Sequence, residues 1–284
     1  MNNRLGIMLG RLSPPIKNNI QAFPYNSWEN EFSQAKKIGF DLIEWIFDTT
    51  DSNPIIDSSK IYEIKKLSHE TGVGVNSVCA DYFMEKKLFA VSENELIKNF
   101  DILKMLIINC HKLDIDLIEL PFVDSSSIQN KKNQDELIKN LEKIIPHIQN
   151  CDVKLGLETD LPPEDFKNLL LDLNHPNIVI NYDIGNSVSN GFDPSIELPI
   201  LQHWITNIHI KDRYTNGSTV SLGHGHANFE LFFSTLKKFD YQYDFIIQGA
   251  REDLHDSIIT PQSTCEKYFK FVNKYLKVYN FKSN

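Results

Sequence analysis

The amino-acid sequence predicts an α/β fold of the (β/α)8 barrel class. Eight short apolar runs alternate with eight stretches of helical periodicity along the 284 residues, and this length suits one such barrel. The runs are mainly apolar, and most of them do not alternate strictly between apolar and polar residues, which is typical of parallel strands buried on both faces. No glycine-rich nucleotide-binding loop follows any of these runs, which disfavours a nucleotide-binding doubly wound sheet.

The elements follow in strand–helix order. Strands are predicted at Leu5–Leu9, Leu42–Ile46, Val75–Cys79, Leu117–Leu120, Lys154–Glu158, Ile178–Tyr182, Ile205–Ile210 and Phe245–Gln248. Helices are predicted at Ser27–Ile38, Ser59–Glu70, Asn94–Leu113, Asp135–Gln149, Pro162–Leu173, Ser195–Leu201, Asn228–Phe239 and Gln262–Leu276. Gly39 and Gly72 end the first two helices, and Asn228 is suited to cap the seventh. No linker interrupts the pattern, so we predict one barrel domain over residues 1–284.

The composition narrows the class of protein. A net charge of -9 and a pI near 5.5 argue against a nucleic-acid partner, since phosphate contacts require clustered Lys and Arg. No run of 18 apolar residues is present, so we expect no membrane partner. The cysteines form no CxxC pair, and we expect reduced thiols and a cytoplasmic location; they are Cys79, Cys110, Cys151 and Cys265. A homodimer built on exposed helices such as Asn94–Leu113 is possible.

Polar side chains end most of the predicted strands. They are Glu44, Asp81, Glu119, Glu158, Asp183, His209 and Gln248. Because the carboxyl ends of the strands of a barrel meet at one mouth, these side chains are expected to converge there. Asp and Glu make up only 38 of 284 residues, so chance placement is a poor explanation of the pattern.

Three of these residues end successive strands and form a set of possible metal ligands. Glu158 and Asp183 offer carboxylate oxygens, and His209 offers an imidazole nitrogen. Such a set suits a divalent Mn, Mg, Co or Zn ion and argues against copper(I) or an iron–sulfur cluster. The alternative interpretation is that the two carboxylates cap helices and that His209 packs in the core.

Five segments carry a resemblance to a known family: LGLETD, NYDIGN, NIHIKDR, LGHGHANF and FIIQGARED. Together they resemble the xylose-isomerase-like TIM-barrel superfamily of sugar and sugar-phosphate isomerases and epimerases, over essentially the whole chain. That superfamily also includes inosose dehydratases and apurinic endonucleases, and the acidic charge of this chain disfavours the latter. The resemblance implies a metal bound by Glu158, Asp183 and His209, with the fourth ligand at the end of the eighth strand. It also implies proton transfer through an enediolate, with Glu158 as the base.

Two positions depart from the family pattern. Gln248 stands where the epimerases usually have a second Glu, and Asn186 stands where many members have a His that contacts substrate. A Gln carbonyl still coordinates a cation, but it cannot accept a proton at neutral pH. Glu252 is an alternative fourth ligand that would have to fold back from a loop. The departures argue against the usual two-base epimerase mechanism and are compatible with one-base isomerisation. An isomerase or epimerase is the predicted function, and a polyol or inosose dehydratase-type lyase and a non-catalytic carbohydrate-binding barrel are the alternatives.

Further residues are predicted to contact a sugar or sugar-phosphate substrate. Arginines near the strand ends suit a hydroxyl, carboxylate or phosphate group. Acidic residues of the second and third strands suit sugar hydroxyls or support of the ligands. The predicted substrate-binding residues are Arg11, Glu44, Asp81, Asn186, Arg213 and Arg251.

Overall fold

The computed structural model describes residues 3–16, 19–251 and 259–281. Within these residues the barrel strands are β1 (Leu5–Met8), β2 (Leu42–Ile46), β3 (Gly74–Cys79), β4 (Leu117–Phe122), β5 (Lys154–Thr159), β6 (Ile178–Asp183), β7 (Ile205–Ile210) and β10 (Asp244–Ile247). These eight parallel strands close into a barrel in the order β1–β10–β7–β6–β5–β4–β3–β2. A two-stranded antiparallel hairpin, β8 (Asp212–Arg213) with β9 (Thr219–Val220), lies between β7 and β10 in the chain. The predicted barrel is thereby confirmed.

Helices connect the strands. They are α1 (Trp28–Ile38), α2 (Ile61–Thr71), α3 (Tyr82–Glu85), α4 (Glu93–Lys112), α5 (Lys131–Cys151), α6 (Pro163–Leu173), α7 (Ile184–Ser189), α8 (Pro194–Leu201), α9 (Phe229–Lys238) and α10 (Pro261–Val278). The short helices α3 and α7 are not predicted by the sequence pattern. Helix α5 also begins earlier than predicted, because Asn130 caps that helix by accepting a hydrogen bond from the Lys132 N–H at 2.8 Å. Among the described residues, no helix combines the length and apolar character that crossing a bilayer requires.

The pairing of β6 with β7 is irregular at one point. Ile180 pairs with Ile205, but the next residue of β6, Asn181, pairs with Asn207, so Thr206 is an extra residue in β7. Beyond this bulge Asp183 pairs with His209. Because side chains alternate between the two faces of a strand, the extra residue keeps Asn207 and His209 on the same face as Asn181 and Asp183.

The loop before α9 is organised by one buried carboxylate. Asp212 is fully buried and accepts hydrogen bonds from the backbone N–H groups of Gly223 (2.9 Å), Gly225 (2.9 Å) and Ala227 (3.1 Å). A Cβ atom at Gly225 would collide with the Asp212 carboxylate, so only glycine fits there. The Asp212 carboxylate therefore ties residues 223–227 to the hairpin strand β8.

Candidate active site

The barrel interior carries a connected set of polar side chains. Asn207 Nδ2 donates to Asn181 Oδ1 at 2.8 Å and to Glu44 Oε2 at 2.9 Å, and Ser77 Oγ donates to Glu44 Oε2 at 2.5 Å. Asn181 Nδ2 in turn donates to Glu158 Oε2 at 2.7 Å. Each of these five side chains is almost completely buried, so hydrogen bonding within the set is what makes a polar interior tolerable.

The predicted ligand residues Glu158, Asp183 and His209 lie together above this set. Each offers one ligand atom, and the three atoms lie within 4.8 Å of one another. His209 Nδ1 is 3.5 Å from Glu158 Oε2 and 4.0 Å from Asp183 Oδ2. The side chains reach this point because they occupy the carboxyl ends of the adjacent strands β5, β6 and β7.

Glu44 fixes the orientation of the His209 ring. Glu44 Oε1 lies 2.5 Å from His209 Nε2, and both side chains are fully buried. On the other side of the ring, Asn181 Nδ2 lies 3.1 Å from Nδ1, and an amide N–H can only donate. An unprotonated Nδ1 accepts this contact, and it is the form of the ring that binds a metal ion; a protonated Nδ1 would face Glu158 Oε2 as a donor instead.

Nearby charges also act on His209. Burial lowers its pKa, but the Glu44 carboxylate and the hydrogen bonds with Glu158 and Glu44 raise it, and the net pKa lies well above the ordinary value. Without a cation, the ring therefore tends to hold a proton on Nδ1. A cation would have to displace this proton in order to bind there. The hydrogen-bond geometry and the donor atoms together fit a divalent cation.

Glu158 and Glu119 form a pair of carboxyl groups in opposite states. Burial raises the pKa of Glu158, but the hydrogen bond and charge of His209 lower it by more than burial raises it. The net pKa of Glu158 therefore lies below the ordinary value. Burial and the charge of Glu158 raise the pKa of Glu119 well above its ordinary value. The lowered pKa favours the ionised form of Glu158, and the raised pKa favours the protonated form of Glu119. One carboxyl oxygen of Glu119, Oε2, accepts no hydrogen bond from the described residues, although the side chain is only 1% exposed.

Gln248 is oriented by its neighbours. Its Nε2 donates to Gln21 Oε1 at 3.0 Å, and its Oε1 accepts from Lys211 Nζ at 3.1 Å. Lys211 Nζ also donates to Asp183 Oδ2 at 3.2 Å. Burial lowers the pKa of Lys211, but the Asp183 and Glu158 carboxylates raise it, so its net pKa lies above the ordinary value and the ammonium stays charged. Glu252, the alternative fourth ligand, lies outside the described residues.

Three predicted substrate contacts lie at the mouth. Asn186 Nδ2 donates to Glu158 Oε1 at 2.5 Å, and Arg213 donates from one terminal nitrogen to Asn186 Oδ1 at 2.8 Å. The Asp183 carboxylate holds this region by accepting from the Asn186 backbone N–H at 2.8 Å, as the N-cap of α7. Asp81 also faces the mouth and accepts from Gln21 Nε2 at 2.6 Å.

Two predicted substrate contacts are instead engaged by the backbone. The guanidinium of Arg251 donates to the carbonyl oxygens of Gly10 (2.7 Å), Ser13 (2.9 Å) and Ile20 (3.0 Å). Arg11 is 6% exposed and donates to the carbonyl oxygens of Gly249 and Ile20 and to the side chain of Gln21. Neither arginine lines the mouth, and Glu44 lies below it, beneath His209.

A cavity of about 240 Å³ opens above these groups. Its walls contribute carboxyl, amide and cationic side chains, which include Asp81, Glu119, Glu158, Asn186, Gln248, Lys211 and Arg213. This volume suits a small ligand, and the polar lining suits a polyhydroxylated molecule rather than an apolar one.

Sequence reasoning assigned no role to Asn181, Asn207, Glu119 or Lys211. The sequence contained a usable pattern for three of these residues, because residues two positions apart on a strand face the same side. Asn181 precedes Asp183 by two positions, Asn207 precedes His209 by two, and Lys211 follows His209 by two. Glu119 was recognised only as a strand end.

Fold and site together define a closed parallel barrel whose strand ends carry a cluster of carboxylates and a histidine that could hold a metal ion. The chain belongs to the family described as xylose isomerase-like TIM barrel, whose model matches residues 32–257.

Individual relatives agree with this assignment. L-ribulose-5-phosphate 3-epimerase UlaE of Shigella flexneri is 25% identical over 251 residues, which cover 84% of this chain and 88% of the relative. Among solved structures, an L-ribulose 3-epimerase superposes with a TM-score of 0.79 at 16% identity, covering 98% of this chain and 96% of its own. The IolI protein, solved with a zinc atom, superposes with a TM-score of 0.76 at 14% identity, covering 97% and 99%. At these identities the structural likeness shows the fold.

Proposed function

We propose that this protein is a metal-dependent isomerase or epimerase that acts on a sugar or sugar phosphate by proton transfer through an enediolate. The observation that carries the proposal is the convergence of Glu158, Asp183 and His209, whose ligand atoms lie within 4.8 Å of one another. The names of the relatives support the same class, since UlaE is a sugar-phosphate epimerase and the structural neighbour is a sugar epimerase.

In this proposal Glu158, Asp183, His209 and the Gln248 carbonyl hold a divalent Mn, Mg, Co or Zn ion. Such an ion supplies positive charge that stabilises the negative charge developing on substrate oxygens. The zinc atom bound by the IolI protein supports this choice of cofactor. Glu44 acts on the site through His209, by holding Nε2 and directing Nδ1 at the ion.

Glu158 is the proposed base. Its lowered pKa keeps it ionised at neutral pH, and amide groups of Asn181 and Asn186 hold its two oxygens in place. Gln248 cannot take up a proton, so we propose that one base moves the proton between adjacent carbons on one face of the substrate, which is isomerisation. Epimerisation would require a second group to deliver a proton to the opposite face of the same carbon. We propose that Asn186 and Arg213 contact substrate hydroxyls or a phosphate group and that Asp81 accepts a hydrogen bond from a substrate hydroxyl.

A dehydratase-type lyase is the second candidate, and Glu119 favours it. Elimination of water needs a base to remove a C–H proton and an acid to protonate the departing hydroxyl group. The ionised Glu158 and the protonated Glu119 offer these two states side by side at the mouth.

Incubation with Mn²⁺ in deuterated water tests the proposal. The panel contains ketoses, their 5-phosphates and inososes. We expect deuterium to enter a product that has lost no water, and Glu158→Gln to lower turnover by roughly 10²–10⁴-fold. The exposed Glu142→Gln is the matched control and should keep wild-type turnover. Loss of water from the product would favour the lyase, and full turnover by Glu158→Gln with metal bound would contradict the role of Glu158. Binding of a sugar without any turnover would favour a non-catalytic barrel.

A further inference from the structure

The ammonium group of Lys211 lies at the edge of the candidate cation site. Its ammonium donates to Asp183 Oδ2 at 3.2 Å and to Gln248 Oε1 at 3.1 Å, which are oxygens of two proposed metal ligands. Asp183 Oδ2 is also the carboxylate oxygen that faces His209 Nδ1, at 4.0 Å. One oxygen is thus available to both the ammonium and a divalent ion.

The position of Lys211 is built into the fold. Its side chain is only 17% exposed, and its aliphatic part packs on the backbone of α7 at Gly185. A Cβ atom at Gly185 would lie 2.8 Å from Lys211 Cγ and 3.0 Å from its Cβ, so this close contact requires glycine. The ammonium is therefore directed at Asp183 by packing as well as by charge.

Gln248 completes the same arrangement. Gln21 Oε1 holds its Nε2 at 3.0 Å, which turns the amide oxygen towards Lys211. Gln21 is itself held, because its Nε2 donates to Asp81 Oδ2 at 2.6 Å. The amide of Gln248 is neutral, whereas a carboxylate at the same position would add one negative charge beside Lys211. The positive charge of Lys211 is therefore balanced by fewer negative charges than it would be with a carboxylate.

We propose that Lys211 competes with the divalent cation for Asp183 Oδ2 and thereby makes the site a weak and readily exchanging one. This inference rests on the proposed function. Two effects act together: the ammonium repels a nearby divalent charge, and it uses a lone pair that the ion needs. The proposed enzyme would then release its cation on dilution and regain it when the cation is added.

Isothermal calorimetry with Mn²⁺ tests the inference on the whole chain. We expect Lys211→Met and Lys211→Gln to bind Mn²⁺ roughly 10-fold or more tightly than wild type, because each removes the charge. Lys211→Arg keeps the charge and should stay within about 2-fold of wild type. Lys154→Met is the matched control, since Lys154 lies at the opposite end of β5 beside Tyr243 and the change in net charge is the same.

Circular dichroism establishes that each variant is folded, and Lys211→Gln keeps a polar head group for Asp183 and Gln248 if Lys211→Met does not fold. Equal or weaker Mn²⁺ binding by the neutral variants overturns the inference and leaves the proposed function intact. Tighter Mn²⁺ binding by Lys154→Met also overturns the inference, because the gain in affinity would then come from the change in overall charge. Absence of Mn²⁺ binding by every protein overturns both the inference and the proposed function.

Discussion

Glu44 Oε1 lies 2.5 Å from His209 Nε2, and neither side chain is exposed to solvent. The pair connects the second strand of the barrel to the seventh strand, across the interior. Because Nε2 is committed to this contact, the ring presents Nδ1 to Glu158 and Asp183. A single buried carboxylate thus determines which nitrogen of His209 faces the candidate ion site.

Glu44→Gln tests this role. The amide can approach Nε2 through either its oxygen or its nitrogen, so the ring loses its fixed tautomer, and we expect Mn²⁺ affinity to fall about 10–100-fold. Calorimetry measures the effect, with Glu142→Gln as the control. Unchanged affinity in a folded variant would show that the tautomer is set elsewhere.

Substitution of Arg251 should change stability, whereas substitution of Arg213 should change substrate binding. Arg251→Lys loses the planar fork that reaches three carbonyl oxygens, so we expect the free energy of unfolding to fall by about 1–3 kcal/mol with KM unchanged. Arg213→Lys acts at the mouth, and we expect it to raise KM for an active sugar. Urea unfolding and steady-state kinetics of both variants measure the two effects. A raised KM for Arg251→Lys would instead place that guanidinium against the substrate.

Asp212→Asn should loosen the loop that precedes α9. The amide offers one oxygen and a competing N–H to three backbone donors, so buried N–H groups of Gly223, Gly225 or Ala227 lose their acceptor. We expect faster amide hydrogen exchange in residues 223–227 and a loss of about 1–3 kcal/mol of local stability. Exchange measured by mass spectrometry decides, and the exposed Asp193→Asn serves as control. Protection equal to that of wild type would mean that other contacts hold the loop.

Glu197 should make stability depend on pH. It lies behind β6, where it accepts hydrogen bonds from Tyr182 and Ser187, and burial raises its pKa from 4.5 to about 7. The folded protein therefore holds this proton more tightly than the unfolded chain. The resulting stability is fully present below pH 4.5 and is lost as the pH rises through about 7.

Glu197→Gln isolates this contribution. The amide stays neutral, so we expect wild type to lose about 2 kcal/mol relative to the variant between roughly pH 5.5 and pH 8.5. Urea unfolding of both proteins at the two pH values gives the difference. Glu31 is also buried, with a pKa raised to about 7, but it is present in both proteins and cancels. A difference that does not change with pH would show that Glu197 is ionised throughout.

The sequence predicted the barrel because buried parallel strands are apolar runs of recognisable length. Glu158, Asp183 and His209 were predicted to lie together for a related reason, since the ends of successive parallel strands must meet, and the structure brings them together. The short helix α7 was missed because its six residues are too few to show a helical period. Its N-cap is Asp183, a predicted ligand, which accepts from the Asn186 N–H.

Long-range partners set the limit of the sequence reasoning. Arg11 and Arg251 were correctly placed after strands, yet their carbonyl acceptors at Gly249 and Gly10 lie 238 and 241 positions away in the chain. No local pattern reveals which backbone oxygen a guanidinium will meet. Lys211 was overlooked for a different reason: its alternation with His209 was visible, but the contact of its ammonium with Asp183 and Gln248 was not.

The extra residue in β7 has a consequence for engineering. Were β7 to pair regularly, with Thr206 opposite Asn181, Asp183 would lie beside Ile208 instead of His209, and the imidazole would turn towards the surrounding helices. Copying the three donor residues onto a barrel without this irregularity would therefore not reproduce their convergence. Anyone transplanting the constellation must carry the irregular strand along with it.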